Sequence, residues 1–177
     1  MSYITVKNLQ KNYSIYEKTG RLKRNKRIVK ALNHIDFNVE EGAFLGYIGP
    51  NGAGKSTTIK VLTGIMTPDG GQAKVGNYIP YKDRKTYVQN IGVVFGQKTQ
   101  MWWDLPVLDT YRLLSGIYKV PQQVFKKQLE YLCDRLDLDE ILHQPVRQLS
   151  LGQRMRAELG ASMIHDPKIL FLDELTI

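Results

Sequence analysis

The sequence predicts an α/β domain with antiparallel β structure towards its start and a helical lobe in its second half. Three observations predict it. Short apolar runs bounded by turn residues crowd the first half of the 177-residue chain. Apolar residues at helical spacing replace them further on. Near the end, an apolar run stops at two carboxylates, the form of a buried parallel strand whose carboxyl end enters a site.

In chain order, strands are expected at residues 4–9, 31–39, 44–48, 73–75, 91–94 and 169–172. Pro106, Pro121 and Pro145 punctuate residues 106–148 into short helices, with Asp109 a cap for residues 110–118. Phe125, Leu129, Leu132, Cys133 and Leu136 fall on one helical face, as a packed helix requires. There is no internal repeat or low-complexity tract.

The run at 44–48 leads directly into Gly49-Pro50-Asn51-Gly52-Ala53-Gly54-Lys55-Ser56, a complete G-x-x-x-x-G-K-[ST] followed by a helical run. Glycines let the backbone curl so that successive N–H groups point inward, and the positive end of the next helix lies beneath them. The loop is an anion nest suited to a nucleoside triphosphate. Lys55 is expected to reach the β- and γ-phosphates, Ser56 to place its hydroxyl on Mg2+ and Thr57 to add a phosphate contact. Gly64 fits a cap at the end of the helix.

At the other end, Lys168-Ile169-Leu170-Phe171-Leu172-Asp173-Glu174 has the Walker B form. Asp173 is expected to hold Mg2+, and Glu174 to polarise the attacking water as general base. The guanine-reading Asn-Lys-x-Asp is absent, since Asn25-Lys26-Arg27-Ile28 lacks the aspartate, so ATP is the expected ligand.

Composition fits this reading: 42% of the residues are hydrophobic and 24% charged, as in an ordinary globular chain with one core. No apolar run approaches the roughly 20 residues of a membrane helix. The start lacks a secretory layout and Cys133 is the lone cysteine, so a reducing cytoplasm is the expected compartment. Much of the net charge of +8 lies at Lys18, Arg21, Lys23, Arg24, Lys26, Arg27 and Lys30. The run reads first as a solvated loop, with anionic lipid second and nucleic acid last, since no aromatic residues interleave with the charges.

Leu149-Ser150-Leu151-Gly152-Gln153-Arg154-Met155-Arg156-Ala157-Glu158-Leu159 heads a helix, with Ser150 and Gln153 forming an S-x-x-Q capping box. Lying between the glycine-rich loop and the acidic strand, it resembles the Leu-Ser-Gly-Gly-Gln signature of ABC ATPases, with Leu151 where the first glycine usually stands. The resemblance covers nearly the whole chain and implies an ABC-type P-loop NTPase over residues 1–177, with 106–148 as its helical subdomain. It implies that Ser150, Gly152 and Gln153 grip the γ-phosphate of ATP held by a second subunit. Tyr13 matches the adenine-stacking aromatic, a half-buried tyrosine at a strand end being the alternative. Gln97 matches the glutamine that touches Mg2+ and the catalytic water and signals to the membrane partner, with Gln100 the second choice. Trp102 and Trp103 lie in a segment that looks like the docking surface for that partner, core packing being the alternative.

The motifs look most like those of ABC-2 exporter subunits. The implied partners are transmembrane permease subunits and a second ATPase subunit, and the implied location is the inner face of the cell membrane; nucleic acid is not expected. Family members continue beyond the Asp-Glu pair with Pro-Thr, a D-loop and a switch histidine. Here Leu175 replaces the proline, and His34, His143 and His165 all precede the acidic strand. An incomplete core, exposed apolar surface and poor solubility are therefore expected. Two rival readings are a non-hydrolysing nucleotide-binding fragment and a soluble ABC ATPase acting on nucleic acid or ribosomes.

Overall fold

The computed structural model describes residues 2–18, 24–96 and 99–173. They form two compact units, one ending at Tyr87 and the other beginning at Val88.

The first unit contains β1 (Ser2–Lys18), β2 (Arg24–Glu40), α1 (Lys55–Leu62), β3 (Gly70–Val75) and the short α2 (Arg84–Tyr87). Its antiparallel sheet has the order β2-β1-β3. Alternation along the strands turns Ile4, Val6, Ala73 and Val75 inward, where Leu9, Leu32, Val61 and Leu62 complete the core. Tyr87 is fully buried, and its hydroxyl donates to the Leu62 carbonyl at 2.7 Å, which satisfies an end of α1. Beyond that end, Gly64 adopts φ 74°, the left-handed turn that closes the helix.

Two expectations for this unit need correction. The basic run is not a loop throughout: Asn12↔Lys30 to Lys18↔Arg24 extends the β1–β2 ladder into a ribbon, with residues 19–23 outside the described part. β3 stops at Gln10↔Gly70, so the ribbon has only two strands. Charge did not prevent strand formation, because exposed ribbon positions accept charged side chains and the ladder satisfies the backbone. Conversely, residues 44–48 form no strand. Phe44 is 98% exposed and Ile48 93% exposed, and among the described residues no ladder pairs with this run. An apolar run without a neighbouring strand has nothing to satisfy its backbone groups except water.

The second unit contains β4 (Ile91–Phe95), α3 (Val107–Ile117), α4 (Gln122–Leu136), α5 (Leu151–Met163) and β5 (Ile169–Asp173). β4 and β5 pair in parallel from Ile91↔Ile169 to Phe95↔Asp173. α5 lies against β4 so closely that a Cβ on Gly92 would overlap the Ser162 carbonyl oxygen. One apolar cluster joins Val107, Tyr111 and Leu114 of α3 to Leu132 and Cys133 of α4 and Ala157 and Ala161 of α5. Tyr111 donates to the Ala157 carbonyl at 2.8 Å, and its ring end occupies the space left by the missing side chain of Gly160. Burial raises the Cys133 thiol to about 11. Asp109 is not a cap: α3 starts at Val107 behind Pro106, and Asp109 pairs within the first turn with Arg112 at 3.1 Å. A proline at the helix boundary already supplies the required φ.

Candidate functional site

Gly49, Pro50, Asn51, Gly52 and Ala53 form an exposed loop, and Gly54 is the N-cap of α1. Gly52 and Gly54 have φ of 82° and 88°, which disfavours any side chain. Gly54 is fixed twice over, because a Cβ there would also overlap the Ala31 carbonyl oxygen on β2. The Lys55 ammonium folds back over the loop and donates to the Gly49 and Pro50 carbonyls at 2.7 and 2.9 Å. Backbone bonds brace the turn: Ala53 N–H reaches the Pro50 carbonyl at 3.2 Å, and Thr58 N–H reaches the Gly54 carbonyl at 2.8 Å. The cation, the N-terminal end of the helix and the two left-handed glycines belong to one short exposed backbone segment. This donor set fits a polyphosphate.

Ser56 and Thr57 occupy the first turn of α1 and are half-buried. Tyr13, 44 residues earlier, comes to the same turn: its hydroxyl lies 3.4 Å from Thr57 Oγ1 and donates to Met66 Sδ at 3.1 Å. The ladder brings it there, since β1 continues past the end of β3 and carries Tyr13 opposite Val29.

In the second unit, Asp173 ends β5 with a buried side chain, and its carbonyl accepts from Gly96 N–H at 2.8 Å. Ser56 and Asp173, the expected Mg2+ residues, belong to different units. Among the described residues there is no group of three or more His, Cys, Asp or Glu side chains with metal-binding geometry. Gln97 and Glu174 lie outside the described residues. Gln100 is held through its Nε2, which donates to the Val93 carbonyl at 2.6 Å.

The capping box at the start of α5 is complete. Gln153 N–H donates to Ser150 Oγ at 3.3 Å, and Ser150 N–H donates to Gln153 Oε1 at 2.9 Å. Gly152, between them, is exposed, and a Cβ there would meet nothing within 4 Å.

Sequence reasoning assigned no role to Glu158. It is buried on α5, where its carboxylate accepts from Thr99 Oγ1 and from Gln100 N–H, tying the segment after β4 to the helix. With Val94, Phe95, Gly96, Thr99, Arg154 and Met155 it lines a cavity of about 140 Å³. A charged residue on the inward face of a helix otherwise lined by Ala157 and Ala161 was the available signal. Nearby, Trp102 and Trp103 are exposed, and Arg154 lies 5.5 Å above the Trp103 ring.

Comparison with known proteins decides the family. The ABC transporter family model matches residues 32–177. The chain belongs to the ABC transporter family. The probable multidrug ABC transporter ATP-binding protein YbhF of Escherichia coli (strain K12) is 34% identical over 146 residues, covering 82% of this chain and 25% of YbhF. The daunorubicin resistance ATP-binding protein DrrA3 of Streptomyces coeruleorubidus is 33% identical over 147 residues, covering 83% of this chain and 46% of DrrA3. The chain thus spans a quarter to a half of the length of these two relatives. Among solved structures, a dimeric ATP-binding cassette in a post-hydrolysis state bound to ADP and Pi superposes with a TM-score of 0.76 at 25% identity, covering 96% of this chain and 72% of that one. The P-loop ABC fold expected from the motifs is therefore present in this ABC family chain, with its antiparallel sheet and its helices.

Proposed function

We propose that the chain binds MgATP and, within the whole protein, hydrolyses it to power transport, in the export direction, through separate transmembrane subunits. The observation that carries this reading is the loop at Gly49–Ser56: the Lys55 ammonium is folded back onto the Gly49 and Pro50 carbonyls of an exposed loop whose glycines at 52 and 54 are left-handed. The Lys55 ammonium would exchange two backbone carbonyls for phosphate oxygens, a charge-assisted and therefore stronger pairing. Tyr13 would stack on the base, and Gly49, Pro50, Asn51, Gly52, Ala53, Gly54, Ser56 and Thr57 would surround the phosphates. Ser56, Asp173 and Gln97 would hold Mg2+, which supplies Lewis acidity when bound. Glu174 would orient and deprotonate the attacking water.

A second ATPase subunit completes the site in this reading. Ser150, Gly152 and Gln153 would meet the γ-phosphate bound by the partner. Gly152 supports this, because this chain's own packing leaves open space where a side chain would be, so the glycine serves an approach from outside. Residues 106–148 would serve as the helical subdomain, and exposed Trp102 and Trp103 would face a permease subunit at the inner surface of the membrane. The direction of transport rests on the names of the multidrug and daunorubicin-resistance relatives.

The test uses the full-length protein with its membrane subunits. Glu174→Gln should retain ATP binding and lower turnover by about 10²–10⁴-fold, the usual contribution of a general base. Unchanged turnover would remove Glu174 from the mechanism, and unchanged ATP affinity in Lys55→Ala would remove the loop.

A further inference from the structure

The β1–β2 ribbon beyond β3 has two faces of different chemistry. Directly opposed residues share a face, and the register is regular from Asn12↔Lys30 outward. One face carries Tyr13, Val29, Ile15 and Arg27, and it is the face whose tyrosine reaches α1. The other carries Asn12 and Lys30, Ser14 and Ile28, and Tyr16 and Lys26. None of its positions is acidic. Lys26 and Lys30 are exposed, and Ile28 between them and Tyr16 beside them are each 60% exposed. The ladder thus interleaves an apolar and an aromatic side chain with the cations, although the linear sequence does not suggest it.

We propose that this face of the ribbon binds the anionic headgroup layer of a lipid bilayer. The ammonium groups of Lys26 and Lys30 would pair with lipid phosphates, Tyr16 would sit at the headgroup level, where an amphipathic ring is favoured, and Ile28 would enter the acyl boundary. A two-stranded ribbon is marginal in water, so a surface that covers its apolar side chains stabilises it. Nucleic acid offers the same phosphates, but it has no apolar layer to take Ile28 at the centre of the face. The proposal is independent of the nucleotide site and concerns a surface the transport reading does not use.

The test is co-sedimentation of the nucleotide-free chain with vesicles of phosphatidylcholine alone or mixed with phosphatidylglycerol. Binding should require phosphatidylglycerol. Each basic residue near an anionic surface strengthens partitioning roughly fivefold, so Lys26→Gln with Lys30→Gln should weaken it about 25-fold. Ile28→Ser should weaken it further in a manner that added salt does not mimic. As a charge control, Lys126→Gln with Lys127→Gln on exposed α4 positions should have little effect. Equal binding to both vesicle types would overturn the proposal, as would an equal loss in the two double variants. Stronger capture of a duplex oligonucleotide than of the anionic vesicles at the same salt would also overturn it.

Discussion

Residues 44–48 and the strand β5 are both short apolar runs that lead into polar, chemically active segments, yet they end in opposite environments. β5 pairs along its length with β4, burying Phe171 and Asp173, and it presents the end of the strand in a fixed register. The run at 44–48 has no ladder among the described residues, and Phe44 and Ile48 lie almost wholly in solvent. Tyr47 is anchored, with its ring centroid 5.7 Å from that of Phe37 and its hydroxyl 3.4 Å from Thr58 Oγ1. The difference teaches that a strand is a property of a pair. Propensity and hydrophobicity nominate a segment, but the neighbouring backbone decides.

The comparison can be broken at β5 first. Phe171→Ala should cost about 3–5 kcal/mol, measured as a lower urea midpoint with an unchanged slope, because it opens a cavity where a buried ring leaves a paired strand. A loss below about 1 kcal/mol would mean that β5 is no better packed than the unpaired run.

An intermediate effect is expected from pH. His165 stacks on Tyr118 with centroids 3.8 Å apart, and its Nε2 donates to the carbonyl of Ile91, the first residue of β4, at 3.0 Å. Nδ1 is buried with no partner among the described residues. Burial holds this imidazole below its ordinary value, against smaller opposing effects of the Ile91 carbonyl and Asp166. The unfolded chain therefore takes up the proton at about pH 6.5, before the folded chain does. Stability from this residue is complete above that pH and declines as pH falls below it. Thermal melts across that range should show the decline, and His165→Gln should remove it. A slope unaffected by the substitution would assign it to other groups.

The smallest effect belongs to the unpaired run. Ile48→Ser should change stability by less than about 0.5 kcal/mol in this chain, as at an ordinary surface site. A loss comparable to that of Phe171→Ala would show that residues 44–48 have a covering neighbour in solution.

What the sequence disclosed follows the same division. The glycine-rich turn before α1, the cap at Gly64 and the box at Ser150 and Gln153 were legible because each is local backbone chemistry written in a few adjacent residues. The α4 face was legible because helical periodicity is local too. The ribbon was missed because pairing Lys26 with Tyr16 depends on two segments read together, and a run of charges alone resembles a loop. Glu158 was missed because its partners, Thr99 and Gln100, are 58 or 59 residues away. For Gln97 and Glu174, which lie outside the described residues, the reading rests on motif order alone.

Cys133 gives the molecule a practical property. It is the lone cysteine, it is enclosed by the helical cluster, and burial raises its thiol to about 11, so almost none of it is thiolate at neutral pH. The folded chain should therefore react slowly with thiol reagents, which labelling with a maleimide would check. A reporter cysteine placed at exposed Ser14 or Leu151 would carry a fluorophore or crosslinker selectively, without first removing Cys133. The ribbon and the start of α5 can thus each be watched separately in the otherwise unaltered protein.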